Sequence, residues 1–148
     1  MQTATRTRQE IAASFRERAE QNLTAAQLCL DMPTYGNACS LAWMSIYQAV
    51  VACVYQKLKH NPRNPERGFE EAQAEKFFAE LLKVNGPKHP HRPLLDSLVL
   101  ARRYRMIADY EVRNNEAITP YAARRSMETA REVHELLWKM LPSTTASN

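Results

Sequence analysis

The chain has 148 residues, of which 45% are hydrophobic and 24% are charged, and a formal net charge of +4. These values predict one folded, soluble domain and exclude wholesale disorder, while the mild basic excess permits a polyanionic partner. Only three glycines occur, so the glycine-rich phosphate loops of the Rossmann and Walker types are excluded.

The first half of the chain predicts two long helices. Apolar residues at three- and four-residue steps predict a helix from about Arg6 to Asp31, which a Met-Pro pair ends. A second helix is predicted from about Tyr35 to Lys59, and it is uncharged up to Lys57. Its length approaches that of a membrane span, but its serine, glutamine and small residues favour a buried helix in a protein without a membrane segment.

The second half predicts three further helices between proline-rich loops. Thr119 is a good N-cap for the last of them, because Pro120 suits the first helical position. The pattern predicts an all-α, up-and-down bundle of four to five helices in a single domain over residues 1–148, with a core of about 6–141. The helices are expected over about Phe69–Val84, Leu94–Arg113 and Pro120–Leu141, the loops over His60–Gly68 and Lys88–Pro93, and a frayed tail over Pro142–Asn148.

The cysteines and the N-terminal residues bear on the cell compartment. Cys29, Cys39 and Cys53 are odd in number and form no C-x-x-C pair, which argues against a disulfide framework and a structural zinc site. We expect them to be small core residues, with no metal and no cofactor bound. The first ten residues have no apolar segment of the kind that a secretory signal requires. A reducing, cytoplasmic location is therefore expected.

The fourth predicted helix carries the most informative charged cluster. Arg102, Arg105 and Asp109 are spaced by three and four residues, so they share a face in line with Leu95 and Leu98. One hypothesis is a structural ion pair between Arg105 and Asp109, one helical turn apart. The other is a set of side chains that lines a cleft and binds phosphate, for which arginine is well suited.

The same helix carries a resemblance to a known family. The run Arg105-Met-Ile-Ala-Asp-Tyr110 resembles the R-x-x-A-D-Y signature of one branch of HEPN-domain proteins. The run Tyr35-Gly-Asn-Ala38 and the aromatic-rich helix after it are also similar to that family, and the resemblance extends from about Arg16 to Ala130. It implies an all-α bundle that usually forms a homodimer. Many members are RNases of toxin–antitoxin, CRISPR or phage-defence systems, and others bind nucleotides or serve as non-catalytic partners.

The sequence departs from the RNase members of that family at one position. Those members carry an arginine followed, after four to six intervening residues, by a histidine, and no arginine of the fourth predicted helix has a histidine in that window. The general acid or base that an imidazole supplies near neutral pH is therefore missing from its expected place. A nucleotide- or RNA-associated binding protein is the leading hypothesis. A diverged ribonuclease that uses Arg105, Asp109 and Tyr110 and a helical protein–protein adaptor are the alternatives.

Two regions of the sequence are rich in basic residues. Lys57–Arg67 and Lys88–Arg113 each have a net charge of +3, and together they would form a surface for phosphate-backbone contact if they meet in space. The expected partners are RNA or a nucleotide, a cognate antitoxin or other partner protein, and a second copy of the chain to cover the uncharged second helix. The expected phosphate-binding residues are Lys88, His89, His91, Arg92, Arg102, Arg103 and Arg105.

Overall fold

The computed structural model describes residues 7–58, 69–110 and 118–141. Within these ranges the backbone forms five α-helices and one short 3-10 turn, Glu71–Gln73, and no strand. This confirms the predicted all-α bundle, whereas the predicted loop at 60–68 and the predicted tail at 142–148 lie outside the described residues. The helices are α1 (Arg8–Asp31), α2 (Tyr35–Lys57), α3 (Ala74–Leu82), α4 (Arg92–Tyr110) and α5 (Pro120–Met140).

The helix α2 lies at the centre of the bundle. The other four helices all pack against it, and its buried residues follow one another around the whole helix between Ala42 and Tyr55. It is long and apolar enough to span a membrane, but 78% of its most apolar 18-residue window is buried inside the bundle. A helix that is apolar on all sides needs such a position, because it has no polar face to turn toward water.

The coverage of α2 removes one argument for a homodimer. The sequence suggested that a single chain would leave part of the uncharged helix open, so that a second copy would have to cover it. Within the described residues, Trp43, Ile46, Val50 and Val54 are each at most 1% exposed in one copy of the chain. A homodimer therefore stays a prediction that rests on the family resemblance.

The helices on either side of α2 are arranged as antiparallel neighbours. α1 and α5 run in opposite directions, because Arg16 lies over the ring of Trp138 near one end and Gln27 accepts a hydrogen bond from Arg131 nearer the other. α4 and α5 also run in opposite directions. The C-terminal part of α4 and the N-terminal part of α5 form a second, smaller apolar cluster with the start of α2.

The prediction for the first part of the third helix is wrong. A helix was expected from Phe69, but Glu70 has extended backbone, the turn Glu71–Gln73 is 3-10, and α3 begins only at Ala74. Two side chains of α2 hold this segment: the hydroxyl of Tyr47 donates a hydrogen bond to the carbonyl of Phe69, and the indole of Trp43 donates one to the carboxylate of Glu71. These long-range contacts outweigh a helix propensity that is only a weak preference.

The other helix boundaries agree with the predictions to within two residues where they can be compared, and those at Asp31, Tyr35 and Pro120 coincide. α2 ends at Lys57, because Leu58 adopts extended backbone. α4 begins at Arg92 and not at Leu94, so the loop before it is shorter than expected, and Pro93 occupies the first turn, where its missing N–H is not needed. The predicted cap of α5 is confirmed: the hydroxyl of Thr119 accepts a hydrogen bond from the N–H of Ala122 at 3.1 Å.

The side chain of Arg8 ties the start of α1 to the end of α2. Its guanidinium donates hydrogen bonds to the carbonyls of Tyr55 at 2.9 Å, of Leu58 at 2.6 Å and, at the limiting distance of 3.5 Å, of Val54. The last carbonyls of a helix have no partner within it, and they carry the negative end of its dipole. Arg8 therefore caps α2 with both hydrogen bonds and a complementary charge.

We expect Arg8→Met to lower the free energy of unfolding by about 1–2 kcal/mol, because the α2 carbonyls lose a charged donor. Chemical denaturation with urea measures this difference. Arg8→Lys keeps the positive charge but not the planar set of donors, so its unfolding free energy should lie between those of Arg8→Met and the wild type. Equal stability of Arg8→Met and the wild type would contradict the capping role.

Candidate functional site

Arg105 lies between two carboxylates on the inner side of α4. Its Nε is 3.1 Å from Oδ2 of Asp109, one turn later in the same helix, and its Nη2 is 3.3 Å from Oε2 of Glu71 in the 3-10 turn. The side chain of Arg105 is only 16% exposed, whereas each carboxylate side chain is 33% exposed. The predicted ion pair between Arg105 and Asp109 is therefore confirmed, and a second carboxylate joins it.

Both carboxylates also bind α2. Glu71 accepts a hydrogen bond from Nε1 of Trp43 at 2.7 Å, and Asp109 accepts one from the hydroxyl of Ser40. The five side chains Ser40, Trp43, Glu71, Arg105 and Asp109 are called the Arg105 cluster below. It joins α2, the 3-10 turn and α4 through charge-assisted hydrogen bonds, which are stronger than neutral ones.

The remaining residues of the signature-like run have different positions. Ala108 packs at the start of α2, where a Cβ placed on Gly36 would lie 3.8 Å from the Cβ of Ala108. This is ordinary van der Waals contact, so an alanine would fit at Gly36 without moving α4. Tyr110 is the last residue of α4, and its side chain lies outside the described part of the structure.

The other arginines of this region divide into paired and exposed ones. Nη1 of Arg102 is 3.6 Å from Oε1 of Glu75 on α3. Arg103 is exposed on the outer side of α4, and no carboxylate among the described residues lies within ion-pair distance of it. The paired face holds two arginines and three carboxylates, a formal sum of −1, so it is not a positively charged cleft.

The basic residues before α4 lie at its opposite end. Arg92 pairs with Asp96 at 3.1 Å, and the backbone N–H of His91 donates a hydrogen bond to Nδ1 of His89 at 3.1 Å. Arg92 and Arg105 are thirteen residues apart in one helix, which corresponds to about 20 Å along its axis. The structure therefore does not bring the expected phosphate-binding residues together in one site. The basic region at 57–67 lies mostly outside the described residues.

The described histidines do not contact the Arg105 cluster. His134 is buried, its Nε2 is 3.2 Å from the carbonyl oxygen of Ser45, and its ring meets that of Trp138 edge-on. Burial lowers the pKa of His134, although the hydrogen bond to Ser45 acts in the opposite direction. His60 lies outside the described residues. Among residues 7–58, 69–110 and 118–141, no three His, Cys, Asp or Glu side chains converge as a metal site requires.

Two of the three cysteines lie in the core, as the sequence predicted. All three are free thiols, and Cys39 and Cys53 are buried, whereas Cys29 is half-buried. Burial raises the pKa of Cys53 to about 12 and also raises that of Cys39. These two thiols are therefore protonated near neutral pH and unsuited to nucleophilic chemistry.

Sequence reasoning missed Glu71, although this residue is central to the Arg105 cluster. It fell within the third predicted helix, Phe69–Val84, 34 residues before Arg105, and was not singled out. One signal pointed to such a residue: a buried tryptophan needs an acceptor for its indole N–H, and the apolar α2 offers none near Trp43.

Comparisons with known proteins agree with this architecture. A sequence model of the HEPN domain family matches residues 12–141. The crystal structure of TT1696 from Thermus thermophilus is similar, with a TM-score of 0.68, 18% sequence identity, and coverage of 88% of this chain and 98% of that chain. At this identity the similarity shows the fold alone. No curated protein matches the chain.

The two carboxylates of the Arg105 cluster should act together on stability. Glu71→Gln and Asp109→Asn each leave Arg105 one carboxylate, so each should cost about 1 kcal/mol of unfolding free energy. The double variant leaves a largely buried guanidinium without a counter-charge, and it should cost about 3 kcal/mol or more. A double-mutant cycle by urea denaturation tests this.

Asp96→Asn provides the control for that cycle, because it removes a carboxylate from an exposed pair on the same helix. It should cost less than about 0.5 kcal/mol. Additive effects of Glu71→Gln and Asp109→Asn would contradict the coupling of the two carboxylates through Arg105.

His134 should make the stability of the fold sensitive to mild acid. The unfolded chain takes up a proton at this imidazole near pH 6.5, whereas burial lowers the pKa in the folded state, so unfolding becomes more favourable as the pH falls through 6.5. The stability should recover above that pH. His134→Gln keeps a donor for Ser45 and should lose less stability between neutral pH and pH 5.5.

Thermal unfolding followed across this pH range measures the effect, and His91→Gln is the control because it retains His134. An equal acid-induced loss in His134→Gln and the wild type would show that His134 is not responsible.

Proposed function

The chain belongs to the HEPN domain family, and on that premise we propose that it is a nucleotide- or RNA-associated binding protein that does not cleave its ligand. In this proposal it works in the cytoplasm as a component of a toxin–antitoxin or phage-defence system, together with a cognate partner protein. Family membership supports a nucleotide- or RNA-related role. The proposal of binding without cleavage rests on the charges and contacts of α4.

The observation that carries the proposal is that the arginines of α4 differ in burial and pairing. Arg105 is largely buried between Glu71 and Asp109, so its charge is already balanced by groups that hold the fold together. Arg103 is exposed on the outer side of the same helix. An exposed cation can approach a phosphate group without first breaking an internal ion pair, and Arg103 is therefore the better contact for RNA.

The outer side of α4 offers further cations along one line. Arg92 and Arg103 are eleven residues apart, three helical turns, so they lie on the same side of the helix, but Arg92 is paired with Asp96, and a phosphate would have to compete with that carboxylate. Lys88 is exposed, and His89 and His91 are half-buried, in the loop that precedes this line. Contacts of this kind are electrostatic, so the binding would depend strongly on salt and little on base sequence.

The chemistry of the Arg105 cluster supports binding without cleavage. Cleavage of RNA near neutral pH needs a group that accepts and donates a proton, and imidazole is the side chain best suited to this. In the described part of the chain, no histidine hydrogen-bonds or pairs with the Arg105 cluster. Arg105 instead forms ion pairs with Asp109 and Glu71.

A homodimer is part of the proposal, and one end of the bundle supports it. Leu28 and Met32 at the end of α1 and Tyr121 at the start of α5 are 58%, 71% and 63% exposed, at the end where the smaller apolar cluster lies. Large apolar side chains exposed in one region often mark a protein interface. A second copy of the chain would remove them from water.

Binding of a fluorescently labelled single-stranded RNA, measured by anisotropy at several salt concentrations, tests the proposal. Arg103→Ala should weaken binding by about threefold to tenfold and reduce the salt dependence by roughly one phosphate contact. Arg124→Ala removes another exposed arginine, on α5 and outside the proposed set, and should bind as the wild type does.

Each alternative gives a distinct result. RNA cleavage by the wild type that Arg105→Ala abolishes would overturn the non-catalytic role and establish a diverged ribonuclease. A wild type that binds neither RNA nor mononucleotides at low salt would overturn the proposal in favour of a protein–protein adaptor.

A further inference from the structure

A cavity of about 360 Å³, largely open to solvent, lies at the other end of the bundle. Its apolar wall consists of Leu58, Leu81 and Met140. Leu58 directly follows α2, Leu81 lies in α3, and Met140 is the last residue of α5. The charged groups at its edge are Lys57, Lys83 and Glu80. Ligand pockets in proteins commonly have volumes of about 300–1,000 Å³, with mostly apolar walls and a few polar groups that orient the ligand.

The two lysines give this cavity a positive edge. Lys57 and Lys83 are both exposed, and within the described residues no carboxylate lies within ion-pair distance of either ammonium group. Some other cations of the bundle do have such partners, for example Lys139 on α5, which pairs with Glu135 at 3.5 Å. With Glu80 counted, the edge of the cavity has a formal charge of +1.

The backbone at Lys83 carries an independent observation. Lys83 ends α3 in the left-handed conformation, with φ 55° and ψ 41°, and it is the one non-glycine residue with positive φ among those described. The N–H of the next residue, Val84, donates a hydrogen bond to the carbonyl of Ala79 at 2.9 Å, which completes a Schellman motif. Glycine is the usual residue at this position because any side chain is strained there.

We propose that this cavity binds a small amphipathic anion, with its apolar part against Leu58, Leu81 and Met140 and its carboxylate or phosphate group between Lys57 and Lys83. A lysine at this strained position has a use in the proposal that glycine lacks, because it adds a cation to the residues that line a largely apolar pocket. The ligand class follows from this combination of an apolar wall and two cations.

The site shares no residue with the surface proposed for RNA. Lys88 follows Lys83 by five residues in the chain, but neither Lys57 nor Lys83 is among the residues proposed to contact RNA. Failure of RNA binding and failure of anion binding are therefore distinguishable, because the two are measured with different probes and different variants.

Octanoate and octyl phosphate are the probes, and 1-octanol is the uncharged control. Titrations of the full-length chain, followed by the amide NMR signals of Leu58, Leu81 and Met140, should show saturable binding of an anion and much weaker binding of octanol. The ratio of the two anion affinities tells whether a carboxylate or a phosphate is preferred. Lys57→Met should weaken binding by about threefold to tenfold.

Lys83→Gly separates binding from stability. It removes the ammonium group and should weaken binding by a similar factor, while it relieves the strained backbone and should raise the melting temperature by about 2–4 °C. Lys139→Met removes a lysine from the same helix as Met140 but not from the cavity, and it should bind the probes as the wild type does. Because Lys83→Gly should raise the melting temperature, a loss of binding in that variant cannot result from misfolding.

Two results would overturn the inference. One is the absence of saturable binding of either anion at millimolar concentration. The other is an unchanged affinity in both Lys57→Met and Lys83→Gly, which would show that the probes bind elsewhere or through their apolar part alone.

Discussion

The helix α2 has no side that it can leave to water, and the rest of the structure is arranged to cover it. α1 and α5 cover it along most of its length, and α4 and α3 cover the remaining sides. Its few polar side chains must find partners within the protein, because burial of an unpaired polar group is costly. Trp43 and Tyr47 find theirs in the segment Phe69–Glu71, so the same requirement that buries α2 also fixes the chain that precedes α3.

The Arg105 cluster follows from that arrangement. Once Trp43 holds Glu71 beside α2, a second carboxylate lies next to the Arg105–Asp109 pair, and α4 is joined to α2 through charges of both signs. A mainly basic composition thus gives a locally acidic group of side chains. The net charge of the chain, +4, is therefore carried by other surfaces, which is why composition alone does not locate a site for phosphate.

Features that depend on near neighbours in the sequence could be predicted, and those that depend on distant residues could not. The cap at Thr119 and the pair Arg105–Asp109 involve residues three and four positions apart, so the helical repeat is enough to place them. The shortened α3 and the role of Glu71 depend on α2, which is about 30 residues earlier. The distance between Arg92 and Arg105 could also have been predicted, because both lie in one helix, thirteen residues apart. From the sequence, the two residues were grouped by charge, and that distance was not considered.

The cap that Arg8 forms couples the start of α1 to the end of α2. Arg8 donates to the carbonyl of Leu58, and Leu58 is also part of the apolar wall of the lysine-edged cavity. Local opening of the first turn of α1 therefore releases the end of α2 and one wall of the cavity in the same event. Amide hydrogen exchange at the start of α1 and at the end of α2 would then report a single opening unit, to which occupation of the cavity is thermodynamically linked.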